Sequence, residues 1–359
     1  MTLFKKIKKR TYVIAEIGVN HNGKFSIAKK MIKEAKNFGA DAVKFQIFSA
    51  LNLSKRNAKL APYQSKNLNK DISQFDMLKR LELRASDYFE LRRLCKKIKI
   101  DFICSVFDES SIDFYKNNFP SSIIKIPSGE ITNYFLLKKL DFNSSEIILS
   151  TGMSNLNEIA NAVNVISNKK IYKLNKNKIG ILNLKRLNNL NKKLFILHCI
   201  SDYPTDKKFL NLNVIEKMSK QLNLVCGFSD HSDSLDAGSL AVAKGAKIIE
   251  KHFTLNKKFI GPDHKCSLNI KEFSVYIKKI RDAEKMLGQE TKKIQSCEKK
   301  NILSVRKSLV AKKEIKRGQL IKLSMLTAKR PAKGLSPMQY RKFVNKRSKK
   351  NFKIDDLIK

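Results

Sequence analysis

The sequence predicts an α/β protein, a TIM (β/α)8 barrel followed by a small C-terminal unit. Three observations carry this. Eight short β-branched or apolar runs alternate with amphipathic helical patterns within about the first 290 of the 359 residues, which is the arithmetic of a closed parallel barrel. The first turn, GVNHNG at 18–23, is not the G-x-G-x-x-G of a doubly wound dinucleotide fold, which usually also has fewer strands. Beyond Gly288 the alternation stops and a charged, polar stretch follows.

The first strand falls at 12–17 (YVIAEI), directly after a basic start, MTLFKKIKKR, that has no apolar signal-peptide core. An amphipathic helix at 26–38 leads to the second strand, 42–47. The next connection is too long for a plain βα unit. Residues 50–76 read as a polar loop containing Tyr63, Gln64 and Asn67, on the side where barrel loops build active sites. Helix 85–97, strand 102–107, helix 110–117 and strand 123–127 continue the alternation, then strand 146–150 and helix 155–166. A second long connection, 168–193, is rich in Lys, Asn and Leu and precedes the sixth strand, 194–199. That position assigns it to the stability face of a barrel, as a solvated insertion with no catalytic part. Helix 212–221, strand 225–228, helix 234–244, strand 247–253 and helix 270–287 complete a barrel domain over 1–288. Residues 289–304 read as a linker, and 305–359 as a compact unit with strand signals at 308–311 and 319–322 around a KRGQ turn at 316–319. So short a unit is marginal alone, and docking on another surface would help it.

Composition excludes several classes. At 42% hydrophobic the chain can build a core, and no window reaches the roughly 18 consecutive apolar residues of a membrane span. The six cysteines are scattered without a CxxC pair, as buried thiols of a reducing cytosol. A cytoplasmic protein is expected. The net charge of +42 raises a polyanion- or RNA-binding reading. Against it, only 13 of the 74 basic residues are Arg, the side chain suited to base readout. Residues 168–193 and 291–359 also supply 27 of the 42 charges, and the joint abundance of Lys, Asn and Ile reads as codon bias of an AT-rich genome. No specific nucleic acid and no membrane are expected as partners.

The chemistry sits at the strand ends. Glu16 closes the first strand, Lys44 and Gln46 share one face of the second, and Lys125 leads to Ser128, Gly129 and Glu130. Ser150 ends the fifth strand, His198 stands at the end of the sixth with Tyr203 beyond, His231 follows the seventh, and Glu250 and His252 share a face of the eighth, with Asp263 and His264 beyond. All five histidines lie in such segments, the expected layout of a barrel active site. Lys44 and Lys125 with the hydroxyls of Ser128 and Ser150 make an anion cradle, apt for a phosphate plus a carboxylate. His231 and His252, from adjacent strands, suit a divalent metal that polarises a carbonyl. Glu16, Glu130, Glu250 and Asp263 offer bases or orienters, and Glu250 could equally pair with a lysine. His21 and His198 suit ligation, support of a ligand or substrate orientation, and His264 a substrate contact or a loop hydrogen bond.

The motifs AEIGVNHNG (15–23), VKFQ (43–46), KIPSGE (125–130), STGM (150–153), FSDH (228–231), EKHF (250–253) and GPDH (261–264) together resemble the N-acetylneuraminate (sialic acid) synthase family, from about residue 11 to 340 and in the same order. The resemblance implies a C-terminal antifreeze-like (SAF, β-clip) domain after the barrel. It also implies condensation of phosphoenolpyruvate with the open-chain aldehyde of an N-acylated amino sugar, giving a nine-carbon 2-keto acid and phosphate. His231 and His252 match metal ligands for Mn²⁺, with Mg²⁺ or Co²⁺ as alternatives. Lys44, Lys125, Ser128 and Ser150 match phosphoenolpyruvate contacts, with Glu250 among the substrate-binding residues. Glu16 and Glu130 match acids that handle the reacting carbons and the water. Gln46, Tyr203 and Asp263 match sugar contacts, as does Asn67, or Asn69 by a shifted loop alignment. Arg330 matches a SAF-domain arginine that reaches the partner's barrel in a domain-swapped homodimer. The departures from the family pattern are the 168–193 insertion and the strongly basic SAF region.

The function expected is therefore an N-acetylneuraminate-type synthase acting on N-acetylmannosamine or a related acylamino sugar. The same-chemistry alternative is an N,N'-diacetyllegionaminate synthase using 2,4-diacetamido-2,4,6-trideoxymannose. A pseudaminate synthase fits less well, because the PSGE and GPD segments are unlike that branch. A barrel metallohydrolase would want more His and Asp ligands than this pattern supplies.

Overall fold

A computed structural model describes residues 1–68, 72–120, 122–140, 145–175 and 178–359. It divides into two compact units, Met1–Gly288 and Gln289–Lys359. In the first, β1 (Tyr12–Gly18), β2 (Ala42–Ile47), β3 (Asp101–Val106), β4 (Ile124–Ile126), β5 (Ile147–Ser150), β6 (Leu194–Cys199), β7 (Val225–Asp230) and β8 (Ile248–His252) close an all-parallel barrel, β1 pairing with both β2 and β8. The amphipathic helices close the outside. Phe25–Asn37, Ala85–Ile98, Leu156–Ser167 and Ile270–Leu287 bury one face each, and all but Leu156–Ser167 carry lysines on the other. Asn155 and Asn269 start two of them with capping boxes to Glu158 and Glu272.

Alternation along the strands sorts the barrel interior into layers. At the amino ends Tyr12, Ile14, Ala42, Ile103, Ile148, Phe195, Leu197 and Ile248 form one apolar cluster. A short helix, Leu3–Ile7, plugs that end with Leu3 and Ile7, its first amides donating to the Glu146 carboxylate at 2.9 and 3.2 Å. The basic start of the chain is thus a structural cap, an element its lysines had concealed. At the carboxyl ends the same inward positions are charged.

Two connections differ from the sequence reading. The 50–76 stretch is not a simple loop. It folds into helices Ala50–Leu53, Pro62–Leu68 and Gln74–Leu81, with Val19, Met77 and Leu81 as a small core of their own. The 168–193 insertion is not merely solvated. Tyr172–Asn175 and Lys178–Ile181 pair antiparallel and Leu184–Leu190 is helical. Ile171, Tyr172, Leu187 and Leu190 are buried in the main core, and the Tyr172 hydroxyl donates to the Leu222 carbonyl at 2.5 Å. Apolar residues spaced among the lysines do the anchoring, while the charges stay in water.

In the second unit, β9 (Ser308–Ala311) pairs antiparallel with β10 (Leu326–Lys329), around a core that includes Leu309, Ile315, Ile321, Met325, Phe352 and Ile358. The strand signal at 319–322 yields only an isolated bridge, Leu320 with Arg347. Before β9 come a 3-10 turn, Ser296–Glu298, and a helix, Lys299–Val305. No helix among the described residues is long and apolar enough to cross a membrane.

Candidate active site

The inward positions at the carboxyl ends of the strands surround a cavity of about 600 Å³, lined on its floor by Glu16, Lys44, Lys125, Ser150, Ser229 and Glu250. Four of these form a buried charge cluster. Lys44 Nζ lies 2.8 Å from Glu16 Oε2 and 3.7 Å from Glu250 Oε1, and it donates to Ser105 Oγ at 2.8 Å. Lys125 Nζ lies 3.6 Å from the same Glu250 oxygen. Glu250 Oε1 also accepts from Ser229 Oγ at 2.9 Å. Register makes this possible, because Glu16 pairs with Lys44 across β1 and β2, and Glu250 with Ser229 across β8 and β7.

Burial disfavours every charge here, and the partners decide the outcome. Burial works against the Lys44 ammonium, but the Glu16 and Glu250 carboxylates outweigh it and raise its pKa. Lys125 has the more distant partner, and burial prevails to lower its pKa. For Glu250 both lysines overcome burial and bring the carboxyl down to about 2. Burial raises Glu16, which shares its lysine with Glu250. The cluster holds two cations and two anions, one cation being short of close contacts. The Ser150 hydroxyl is buried without a hydrogen-bond partner. At the rim of the same cradle the Gly152 amide donates to Ser128 Oγ at 3.0 Å. A Cβ at Gly152 would collide with the Ser128 and Ser201 hydroxyls, so that approach requires glycine. Two lysines and two hydroxyls at one end of a closed floor are a site for an anion.

His231 and His252 stand beside this cluster with ring centroids 5.7 Å apart. Burial keeps both imidazoles neutral, lowering His231 to about 4 and His252 well below its ordinary value. His231 Nδ1 donates to the Ile200 carbonyl at 2.6 Å, which leaves Nε2 with its lone pair, accepting from Tyr203 Oη at 3.2 Å. His252 Nδ1 is buried with no hydrogen-bond partner, 3.9 Å from Asp263 Oδ2. Neutral imidazoles, one oriented by a carbonyl from behind and one with an orphaned nitrogen, fit a divalent metal. Among the described residues no group of three or more His, Cys, Asp or Glu is assembled for a metal, so such a site would leave positions to water and substrate.

Gln46, Ser128, Glu130, Tyr203 and Asp263 also line the cavity. Asp263 is raised to about 7, by burial first and then by Glu16. Glu130 is half-buried, accepts from Asn133 at 2.7 Å, and is raised chiefly by burial. Asn67 is not on the cavity wall. Its amide donates to the Pro262 carbonyl at 2.6 Å and ties the helix Pro62–Leu68 to the loop that carries Asp263. Asn69 lies outside the described residues. Arg330 belongs to the second unit, is exposed, and donates from Nε to the Val305 carbonyl at 2.9 Å. The remaining histidines are held by local hydrogen bonds: His21 accepts from the Gly23 amide, His198 bonds the Leu210 carbonyl, and His264 is buried between Thr254 and Asn22.

Two contributors were not singled out from sequence: Ser105 and Ser229, which contact the lysine and the carboxylate. Tyr63, from the loop named above, packs on Tyr203 at 4.9 Å. Alternation could have found the serines, since Ser229 shares a face with His231 and Ser105 pairs with Gln46 and Lys125.

Comparison with known proteins shows what the chain and its fold resemble. The NeuB family profile matches residues 31–292 and the SAF domain profile residues 306–359. The chain is 44% identical to the N,N'-diacetyllegionaminic acid synthase of Campylobacter jejuni, over 98% of this chain and 99% of that protein. It is 32% identical to the human N-acetylneuraminate-9-phosphate synthase, over 97% and 91% respectively. A solved structure of N-acetylneuraminic acid synthetase from Leptospira borgpetersenii superposes with a TM-score of 0.66 at 28% identity, covering 82% of this chain and 90% of that one.

Proposed function

The chain belongs to the NeuB family, a sialic and legionaminic acid synthase type of enzyme, and from that premise we propose that it condenses phosphoenolpyruvate with the open-chain aldehyde of an N-acylated amino sugar. The observation that carries the reading is the meeting in one cavity of an under-neutralised lysine, an unsatisfied serine hydroxyl and two neutral imidazoles. Lys44, Lys125, Ser128 and Ser150 hold the phosphate and carboxylate of phosphoenolpyruvate. Gln46, Tyr203 and Asp263 orient the sugar. The enol carbon bonds to the aldehyde carbon, whose oxygen takes up a proton. Water adds at the former enol-ether carbon and gives its proton to Glu130. The bond from that carbon to the bridging oxygen then breaks, its electron pair leaves with phosphate, and the hydroxyl left on the carbon becomes the keto oxygen by giving its proton to the departing phosphate. Glu16 faces the reacting carbons and balances Lys44. A divalent metal held by His231 and His252, Mn²⁺ in the first instance, supplies Lewis acidity toward the sugar carbonyl when bound.

For the sugar, one observation favours the diacetamido-trideoxy class. The cavity lining includes Leu53, Met77, Leu78, Leu81 and Phe107. A 6-methyl group and a second acetamide suit that wall, whereas the extra hydroxyls of N-acetylmannosamine would be left against apolar surface. The test is phosphate release by the purified chain with phosphoenolpyruvate, Mn²⁺ and each sugar. Sugar-dependent phosphate is expected, fastest with 2,4-diacetamido-2,4,6-trideoxymannose. No release with any acylated mannosamine would refute the reading. The proposal includes a swapped homodimer in which Arg330 serves a second copy. Arg330→Ala should then lose activity and regain it when mixed with a Glu16→Gln chain.

A further inference from the structure

Behind the two imidazoles, on the outer face of the barrel, Asp230 and Lys251 form an ion pair in which both side chains are 0% exposed, Nζ to Oδ2 at 3.0 Å. Each precedes a histidine in sequence. Because neighbours along a strand point to opposite faces, the pair stands directly behind His231 and His252. The two residues are register partners across β7 and β8. The pair is also fully tied down. Lys251 donates to the Ser232 carbonyl. Asp230 Oδ1 accepts from the Ser232 amide at 2.9 Å and hydroxyl at 2.7 Å, and Oδ2 from Tyr276 Oη at 2.8 Å. Tyr276 reaches this point from the helix Ile270–Leu287, past Gly238, where any Cβ would strike its ring.

A buried ion pair is a poor source of stability, since well-packed apolar residues commonly do as well. It is an effective geometric restraint, because desolvated and fully bonded charges tolerate little displacement. We propose that Asp230 and Lys251, with Ser232 and Tyr276, are positioning residues. They lock the ends of β7 and β8 together and so fix the spacing of His231 and His252 for a divalent cation. Ser232 extends the clamp to the turn that follows His231, and Tyr276 references it to the outer helix layer. This rests on the reading of the two histidines as metal ligands.

The test is Mn²⁺ binding to the full chain, measured by titration with no substrate present and alongside thermal midpoints of the metal-free protein. Lys251→Met, and the double variant Asp230→Leu with Lys251→Met, should bind Mn²⁺ about 10- to 100-fold more weakly. The double variant should do so whatever its midpoint. Leu187→Ala, a core truncation in the insertion, should lower the midpoint and leave Mn²⁺ affinity as in wild type. If the charge variants do not fold, Tyr276→Phe decides, with an expected weakening of roughly threefold or more. Wild-type affinity in the folded variants, with affinity lost in His231→Ala, overturns the clamp alone. Wild-type uptake by His231→Ala, or no uptake by the wild-type chain, overturns the ligand reading and the clamp together.

Discussion

Replacing Lys125 with Met tests the anion cradle with little else disturbed. Lys125 is 2% exposed, and the nearest carboxylate oxygen, on Glu250, is 3.6 Å away, beyond a good hydrogen bond. Lys44, by contrast, has Glu16 and Ser105 both at 2.8 Å. The Lys125 ammonium is therefore the cation left free to meet a ligand, and its lowered pKa, caused by burial that Glu250 only partly offsets, has the same origin. A hydrogen bond to a charged group is worth about 1.5–3 kcal/mol, and each 1.36 kcal/mol is about tenfold. The kcat/KM for phosphoenolpyruvate should fall about 10- to 150-fold, while KM for the sugar moves less than about threefold. The melting midpoint should drop less in Lys125→Met than in Lys44→Met, which leaves Glu16 buried and unpaired. Steady-state phosphate release with each substrate varied in turn measures the first two quantities. A kcat/KM for phosphoenolpyruvate within threefold of wild type, or an equal loss against both substrates, would refute the assignment.

Further outcomes follow from the same geometry. Glu130→Gln should abolish the acidic limb of the pH–rate profile. In wild type that limb lies above the ordinary carboxylate range because burial raises the Glu130 pKa, so activity is lost as pH falls through the raised value. Asp108 caps the helix Glu109–Asn118 through the Ser111 amide and also receives the Ser49 amide at 3.1 Å. Asp108→Ala should cost about 1–2 kcal/mol in denaturant unfolding at neutral pH. Burial opposes ionisation of Asp108, but the Ser110 and Ser111 bonds prevail and lower its pKa. The wild-type advantage is therefore complete above the unfolded carboxyl's pKa and fades as pH falls through the lowered one. Leu3→Ala should cost about 2–3 kcal/mol by emptying the barrel plug, with KM for both substrates unchanged in the same preparation.

The barrel was legible because period-two strands and amphipathic helices alternate with few interruptions, and the site because its charges sit where a barrel strand should be apolar. Lys44, Lys125 and Glu250 were visible for that reason, and the structure brings them within 4 Å of one another's charges through Glu250. What stayed hidden was of two kinds. Short helices such as Leu3–Ile7 and Pro62–Leu68 fall below the length at which periodicity speaks, and tertiary burial of Leu3 and Ile7 stabilises the first of them. Alternation puts the small polar Ser105 and Ser229 on the inner face, but only register sets them against a lysine and a carboxylate. Asn67 shows that a side chain on a functional loop can also serve the loop, here by holding the Pro262 carbonyl. The insertion was misjudged because its lysines outnumber the four apolar residues that bury it.

The central claim is a carbon–carbon condensation that releases phosphate by cleaving the carbon–oxygen bond of phosphoenolpyruvate. The most direct measurement uses phosphoenolpyruvate carrying a heavy oxygen isotope at the bridge between carbon and phosphorus, with Mn²⁺ and 2,4-diacetamido-2,4,6-trideoxymannose. The mass of the released phosphate and of the keto acid is then read. Label appearing in phosphate, in step with sugar consumed, is the predicted result. Label retained in the keto acid, or phosphate released without sugar, would contradict it.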